Sequence, residues 1–163
     1  MKEIQLSQGC VTMVDDEDFE ALNQFKWGLK KFKNVCYARR FDASTEKWIL
    51  MHRVIAGVTD SSIMIDHKDR DGLNNQKDNL RTCSRAQNRA NSKSWGMSKF
   101  LGVTIKRDRY VAVIFKNRKA TFLGSFPLTV SGEKKAAEAY DKAAKERYGE
   151  FANPNIKEAM PNQ

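Results

Sequence analysis

The sequence predicts an α+β protein in two parts, and three observations carry that prediction. Short runs rich in β-branched and aromatic residues, separated by polar turns, fill the first fifty positions. Residues 61–92 then read as strand, loop, strand, helix. Beyond a Gly- and Ser-containing connection at 93–97, three more strand candidates lead into one long helical pattern. The expected architecture is a small β-rich region leading into a ββα unit within residues 1–92, a linker at 93–97, a three-stranded antiparallel sheet packed on one helix at 98–155, and a tail at 156–163.

In chain order, Ile4, Leu6, Val11, Met13 and Val14 flank Ser7-Gln8-Gly9 and predict a short hairpin. The acids Asp15 to Asp18 stand where a helix N-terminus favours negative charge, and Phe19 and Leu22 follow at helical spacing. Val35 to Phe41 and Lys47 to Met51 flank the polar turn Asp42 to Glu46 as a second hairpin. No catalytic constellation is visible in residues 1–50, which read as scaffold. His52, among apolar neighbours, fits a packing histidine or, with Arg53, a phosphate contact. Ser61 to Ile65 predicts a strand entering Asp66-His67, Asp69 to Gly72 is a strong turn signal, and Asn79 to Thr82 can return as the partner strand. Ser84 and Gln87 form a capping box that starts a helix carrying Asn88. Strands are expected at Leu101 to Lys106, Tyr110 to Lys116 and Lys119 to Phe126, then a helix from Ser131 that Gly149 stops.

Composition narrows the function classes. With 163 residues, 40% apolar and 30% charged, the chain falls outside the disordered and membrane-spanning classes. Met1 to Gly9 has no apolar signal-peptide core, and a cytoplasmic protein of a bacterium or a phage-infected cell is expected. Cys10, Cys36 and Cys83 form no CxxC pair, so neither a disulfide framework nor a structural zinc site is expected. Residues 1–84 carry 13 Lys and Arg against 13 Asp and Glu, whereas residues 85–147 carry 15 against 5. That excess is an electrostatic footprint for a polyanion.

The stretch Asp66 to Asn91 concentrates the chemistry. Hydrolysis of a phosphodiester needs a base to activate water and a divalent ion to offset charge on the phosphate. His67 titrates in the right range to be that base. Asp66 and the Asn88 amide are hard oxygen donors of the kind Mg²⁺ takes. Asn79 could pin the loop or fix the histidine tautomer. A calcium loop centred on Gly72 would put His67 at its first position and end on an Asp, which disagrees with an EF-hand.

Met51-His52-Arg53, Asp66-His67-Lys68-Asp69, Asp71-Gly72-Leu73-Asn74-Asn75, Asp78-Asn79-Leu80-Arg81 and Gln87-Asn88 resemble the HNH endonucleases, specifically the phage and intron-type homing enzymes, over about residues 1–92. The resemblance implies a ββα-metal core at about 61–92 that nicks or cuts DNA with Mg²⁺, or Mn²⁺. Position by position it makes His67 the general base, Asp66 and Asn88 the metal ligands, and Asn79 the asparagine that supports the histidine. Many relatives have His where this chain has Asn88.

Residues 98–155 resemble the Apetala-type (ethylene-response-factor) DNA-binding domain, through Leu101-Gly102-Val103, Tyr110-Val111-Ala112, Phe122 to Phe126 and, most specifically, Ala136 to Ala144. The resemblance implies a sheet that lies in the major groove. Leu101, Thr104, Val113 and Phe115 replace residues that read bases in the plant domains, so their base code does not transfer. Strand alternation puts Val111, Val113, Phe115, Ala120 and Phe122 on one face and Ala112, Ile114, Thr121 and Leu123 on the other, so that both faces are apolar. Double-stranded DNA is the expected partner, with contacts from Arg53, Arg81, Arg85, Lys106, Arg107, Arg109, Tyr110, Lys116, Arg118 and Lys119. A monomer on DNA is expected, and the apolar sheet face is where a dimer could form. Two other readings stay open: a DNA-binding regulator with an inactive HNH fold, and a protein-interaction module.

Overall fold

The N-terminal hairpin forms as its alternation requires. Strands β1 (Lys2–Ser7) and β2 (Val11–Val14) pair antiparallel from Lys2↔Val14 to Gln5↔Val11, which turns Ile4, Leu6 and Val14 into one core. Helix α1 (Asp16–Asn23) follows with Asp16, Glu17 and Asp18 in its first turn and buries Leu22. The Trp27 indole N–H donates to the Leu22 carbonyl at 2.8 Å, and this fixes the start of β3 (Trp27–Phe32). β4 (Val35–Asp42) and β5 (Lys47–Leu50) complete a five-stranded sheet in the order β2-β1-β3-β4-β5. Among the described residues of this sheet, β1 and β3 pair parallel and the other neighbours antiparallel.

The computed structural model describes residues 1–32, 35–94, 96–116 and 119–156, with the Lys116 side chain left aside. Arg118, that Lys116 side chain and residues 157–163 of the expected tail lie outside the described residues. The fold is mixed α+β, and the chain divides into two compact units, Met1–Ser84 and Arg85–Gln163. Besides the single 3-10 turn Lys77–Asn79, one strand and one α-helix of the first unit have no counterpart in the sequence reading. In β3 the adjacent Lys30 and Lys31 interrupt the apolar pattern, and its parallel pairing with β1 is a long-range contact that no local signal announces. Helix α2 (Met51–Ile55) has five residues, too few to show a helical period.

The hairpin of β6 (Met64–His67) and β7 (Leu80–Cys83) places Asp66 opposite Arg81 and His67 opposite Leu80. Its strand begins later than Ser61, so Asp66 and His67 are its last two residues.

In the second unit, α3 (Arg85–Ala90) begins directly after Ser84. Strands β8 (Val103–Lys106), β9 (Arg109–Lys116) and β10 (Lys119–Pro127) form an antiparallel sheet in the order β10-β9-β8. Helix α4 (Val130–Tyr148) is capped by the Thr129 hydroxyl, which accepts from the Gly132 N–H at 3.1 Å, and ends at Gly149, φ 55°. Small residues on α4 set the depth of packing: Ala136 and Ala137 press on Val103 and Ala112, and Tyr140 and Ala144 on Leu101 and Ile114. Tyr140 lies so close to the backbone of Gly102 (φ 75°) that a Cβ there would sit 1.9 Å from its ring. The helix covers the Ala112–Ile114 face. Phe115 and Phe122, on the other face, are exposed.

Candidate active site

The loop that links β6 to β7 is built around one carboxylate. Asp69 Oδ1 accepts from the Asp71 N–H at 2.9 Å and from Asn79 Nδ2 at 2.9 Å, and Asp69 Oδ2 accepts from Asn74 Nδ2 at 2.7 Å. Asn79 Oδ1 in turn accepts from the Asp69 N–H at 3.0 Å, and Asn79 Nδ2 also lies 2.8 Å from the Asn74 carbonyl. Burial alone would raise the Asp69 pKa, yet these donors together hold it below its ordinary value. The closed loop is sewn to β2: the Met13 N–H donates to the Leu73 carbonyl and the Asn75 N–H to the Met13 carbonyl, both at 2.8 Å. It also presses on β4, where a Cβ on Gly72 would stand 2.3 Å from the Cys36 carbonyl oxygen and 2.7 Å from the Tyr37 ring. Glycine is required here by close approach rather than by backbone angle.

This attachment brings together three rings from three elements. His52 of α2 and His67 of β6 stand edge to face, centroids 5.2 Å apart at 88°, with Tyr37 of β4 at 5.5 Å from His52 and 5.9 Å from His67. Both histidines are more than nine-tenths buried, as is Asp66. Burial, then the neighbouring His67 and Arg53, pushes the His52 pKa down to about 3, and its Nδ1 has no hydrogen-bond partner. Burial also lowers the His67 pKa, against the opposing pull of Asn75, Asp69, Asp66 and Asp71. Burial, and then the charge of Asp66, raises the Tyr37 phenol. At neutral pH all three rings are uncharged.

Hydrogen bonding decides which nitrogen of His67 carries its proton. Thr12 Oγ1 has one hydrogen, and the Leu73 carbonyl at 2.7 Å is a far better acceptor than the Met51 sulfur at 4.0 Å. The hydroxyl therefore accepts from its other close neighbour, Asn75 Nδ2 at 2.7 Å. With its amide nitrogen committed there, fully buried Asn75 turns Oδ1 toward His67 Nε2 at 3.2 Å. An oxygen can only accept, so Nε2 carries the hydrogen and Nδ1 carries the basic lone pair.

The other expected site residues divide as follows. Asp66 Oδ2 accepts from both Nε and Nη2 of Arg81, at 3.0 and 2.9 Å, so Arg81 is joined to the carboxylate beside His67. Arg53 donates to the Ile63 carbonyl at 2.9 Å and to the Asp60 carbonyl, tying down the turn before β6. Asn88 is half-buried in α3, within the second unit. Arg85, Lys106, Arg107 and Lys119 are exposed, Arg109 binds Ser125 Oγ at 2.7 Å, and Tyr110 packs into the core beneath α4. Asn75, Thr12 and Tyr37 have no assigned role in the sequence reading. Asn75 lies within the quoted Asn74-Asn75 motif, but nothing in the sequence joins Thr12 or Tyr37 to a histidine more than 29 positions away.

Among the described residues no three His, Cys, Asp or Glu side chains gather into a metal shell. No helix among the described residues is long and apolar enough to cross a membrane.

The chain is 31% identical over 153 residues to an uncharacterized HNH endonuclease of Acanthamoeba polyphaga mimivirus, covering 91% of this chain and 76% of that relative. No family model matches the chain, and no solved structure matches it.

Proposed function

The chain belongs to the HNH endonuclease family, and we propose that it is a site-recognising, homing-type DNA endonuclease in which His67 is the general base. The observation that carries this reading is the neutral, buried His67 whose Nδ1 lone pair is set by the Thr12–Asn75 relay. A base of this kind takes a proton from the attacking water, with a contribution of ~10²–10⁴-fold in rate. Asp66 and Asn88 would hold a divalent ion, Mg²⁺ or Mn²⁺, which supplies charge stabilisation at the phosphate when bound. Asn79 acts in this scheme by keeping the Asp69 loop closed, and so the end of β6 in place. A ββα-metal core over about residues 61–92 is what the family resemblance implies.

The second unit supplies binding. Its three-stranded sheet on a helix supports an Apetala-type reading, with Arg85, Lys106, Arg107 and Lys119 as phosphate contacts and Arg109 oriented by Ser125. Lys116 and Arg118 belong to the same proposed set. Incubation of the full chain with supercoiled plasmid and Mg²⁺ or Mn²⁺ tests the reading: relaxed or linear product is expected, and EDTA should abolish it without releasing the DNA. DNA bound intact under every divalent ion would instead identify a regulator with an inactive HNH fold.

A further inference from the structure

The neutral first half of the sequence hides an uneven charge. Residues 27–50 carry six Lys and Arg against two Asp and Glu, whereas the rest of residues 1–84 carries seven against eleven, and strand alternation puts Lys30 and Arg39 on one face of β3 and β4 with no acid beside them. The sheet has two faces, and the adjacent arginines Arg39 and Arg40 mark them. Arg40 turns to the α1 side, its guanidinium 4.1 Å from the Phe25 ring and 5.8 Å from that of Trp27. Arg39 turns to the open side and lies 3.8 Å over the Trp48 ring. Phe41 pairs with Trp48 across the strands, rings 5.4 Å apart and edge to face. Both aromatics remain more than half exposed, Phe41 at 51% and Trp48 at 58%.

The same face leads to the candidate active site. Tyr37, Arg39 and Phe41 alternate along β4, so they share a side and are spaced by about 7 Å, and Lys30 stands directly opposite Tyr37. The Tyr37 ring centroid is 5.9 Å from that of His67. A cationic and aromatic track thus starts beside His67 and runs outward for roughly 14 Å. Exposed aromatic rings interleaved with Lys and Arg suit the backbone of a DNA strand: cations for phosphates, apolar ring surface for the sugars between them.

We infer that the open face of β3 to β5 is a DNA-tracking surface of the nuclease unit itself. Lys30 and Arg39 meet phosphates, and Trp48 with Phe41 meets the strand roughly four base steps from the scissile bond, given ~3.4 Å of rise per step. The first unit then grips DNA beside the cut independently of the second unit. The position of the cut relative to the track rests on the nuclease reading above, whereas DNA contact by the track does not.

The test is binding of the full chain to duplex DNA across a salt series, alongside plasmid cleavage. Trp48→Ala should weaken binding ~10-fold while Trp48→Phe retains most of it, and Lys30→Glu should weaken binding and flatten the salt slope by ~1. These side chains lie outside the core, so thermal melts should match wild type. Wild-type affinity and salt slope in Trp48→Ala and Lys30→Glu would overturn the inference. A wild type that never cuts, with both variants still weakened, would uphold the track and remove the nuclease reading.

Discussion

Asn75 governs which nitrogen of His67 can receive a proton, and it does so only because Thr12 holds its amide in one orientation. Asn75→Ala should therefore act in two ways. Buried donors left unpaired cost about 1–3 kcal/mol, readable as a lower urea midpoint. The ¹⁵N shifts of His67 at neutral pH should change from a pure Nε2–H form in wild type to a mixture in the variant, and a wild type with the proton on Nδ1 would contradict the relay. His52 makes a separate prediction. Its pKa falls from 6.5 to about 3 on folding, so the unfolded chain accepts a proton that the folded protein refuses. Stability from this group is intact above pH 6.5 and is lost as pH falls toward 3, by at most ~1.4 kcal/mol per pH unit. Between pH 7 and 4.5, His52→Leu should lose about 2–3 kcal/mol less than wild type in denaturant unfolding. Equal losses would show that His52 is protonated in the fold.

At the scale of elements, the β6–β7 loop is a clasp between the hairpin and the five-stranded sheet. Gly72→Ala should displace it, since the added carbon meets the Cys36 carbonyl at 2.3 Å. Overpacking of this kind costs about 1–3 kcal/mol, and the shift of Tyr37 and His67 should slow cleavage more than it weakens DNA binding, measured by single-turnover rates beside binding titrations. Much of this element was legible in the sequence. The Asp69-to-Gly72 turn, the two strands and the start of α3 follow from local signals, as do the three strands and long helix of the second unit. The purpose of Gly72 was not legible, because it depends on Cys36 and Tyr37, which approach only when β4 is in place. For the same reason Asn79 was easy to find while Asn75 and Thr12 were not. Asn79 bonds to residues within ten positions, whereas Asn75 is joined to Thr12 across 63. The β3 strand has no such local signal, because Lys30 and Lys31 interrupt its apolar pattern; Lys30, opposite Tyr37, faces the open side, and Lys31, opposite Cys36, faces the other.

On the scale of the molecule, the net charge of +9 arises wholly in residues 85–163, while residues 1–84 are neutral overall and concentrate their cations within 27–50. A protein that contacts DNA through about six phosphates loses ~10³ in affinity between 50 and 200 mM salt, and a comparable loss is expected here; an affinity indifferent to salt would contradict a phosphate-led grip. The family likeness to a viral HNH endonuclease concerns 91% of the chain, and the chemistry proposed for it concentrates on His67. The most direct measurement is the single-turnover rate of plasmid cleavage by wild type and by His67→Ala at saturating protein and Mg²⁺. The expected result is a fall of ~10²–10⁴-fold with DNA affinity unchanged. Equal rates in the two proteins would contradict His67 as the base.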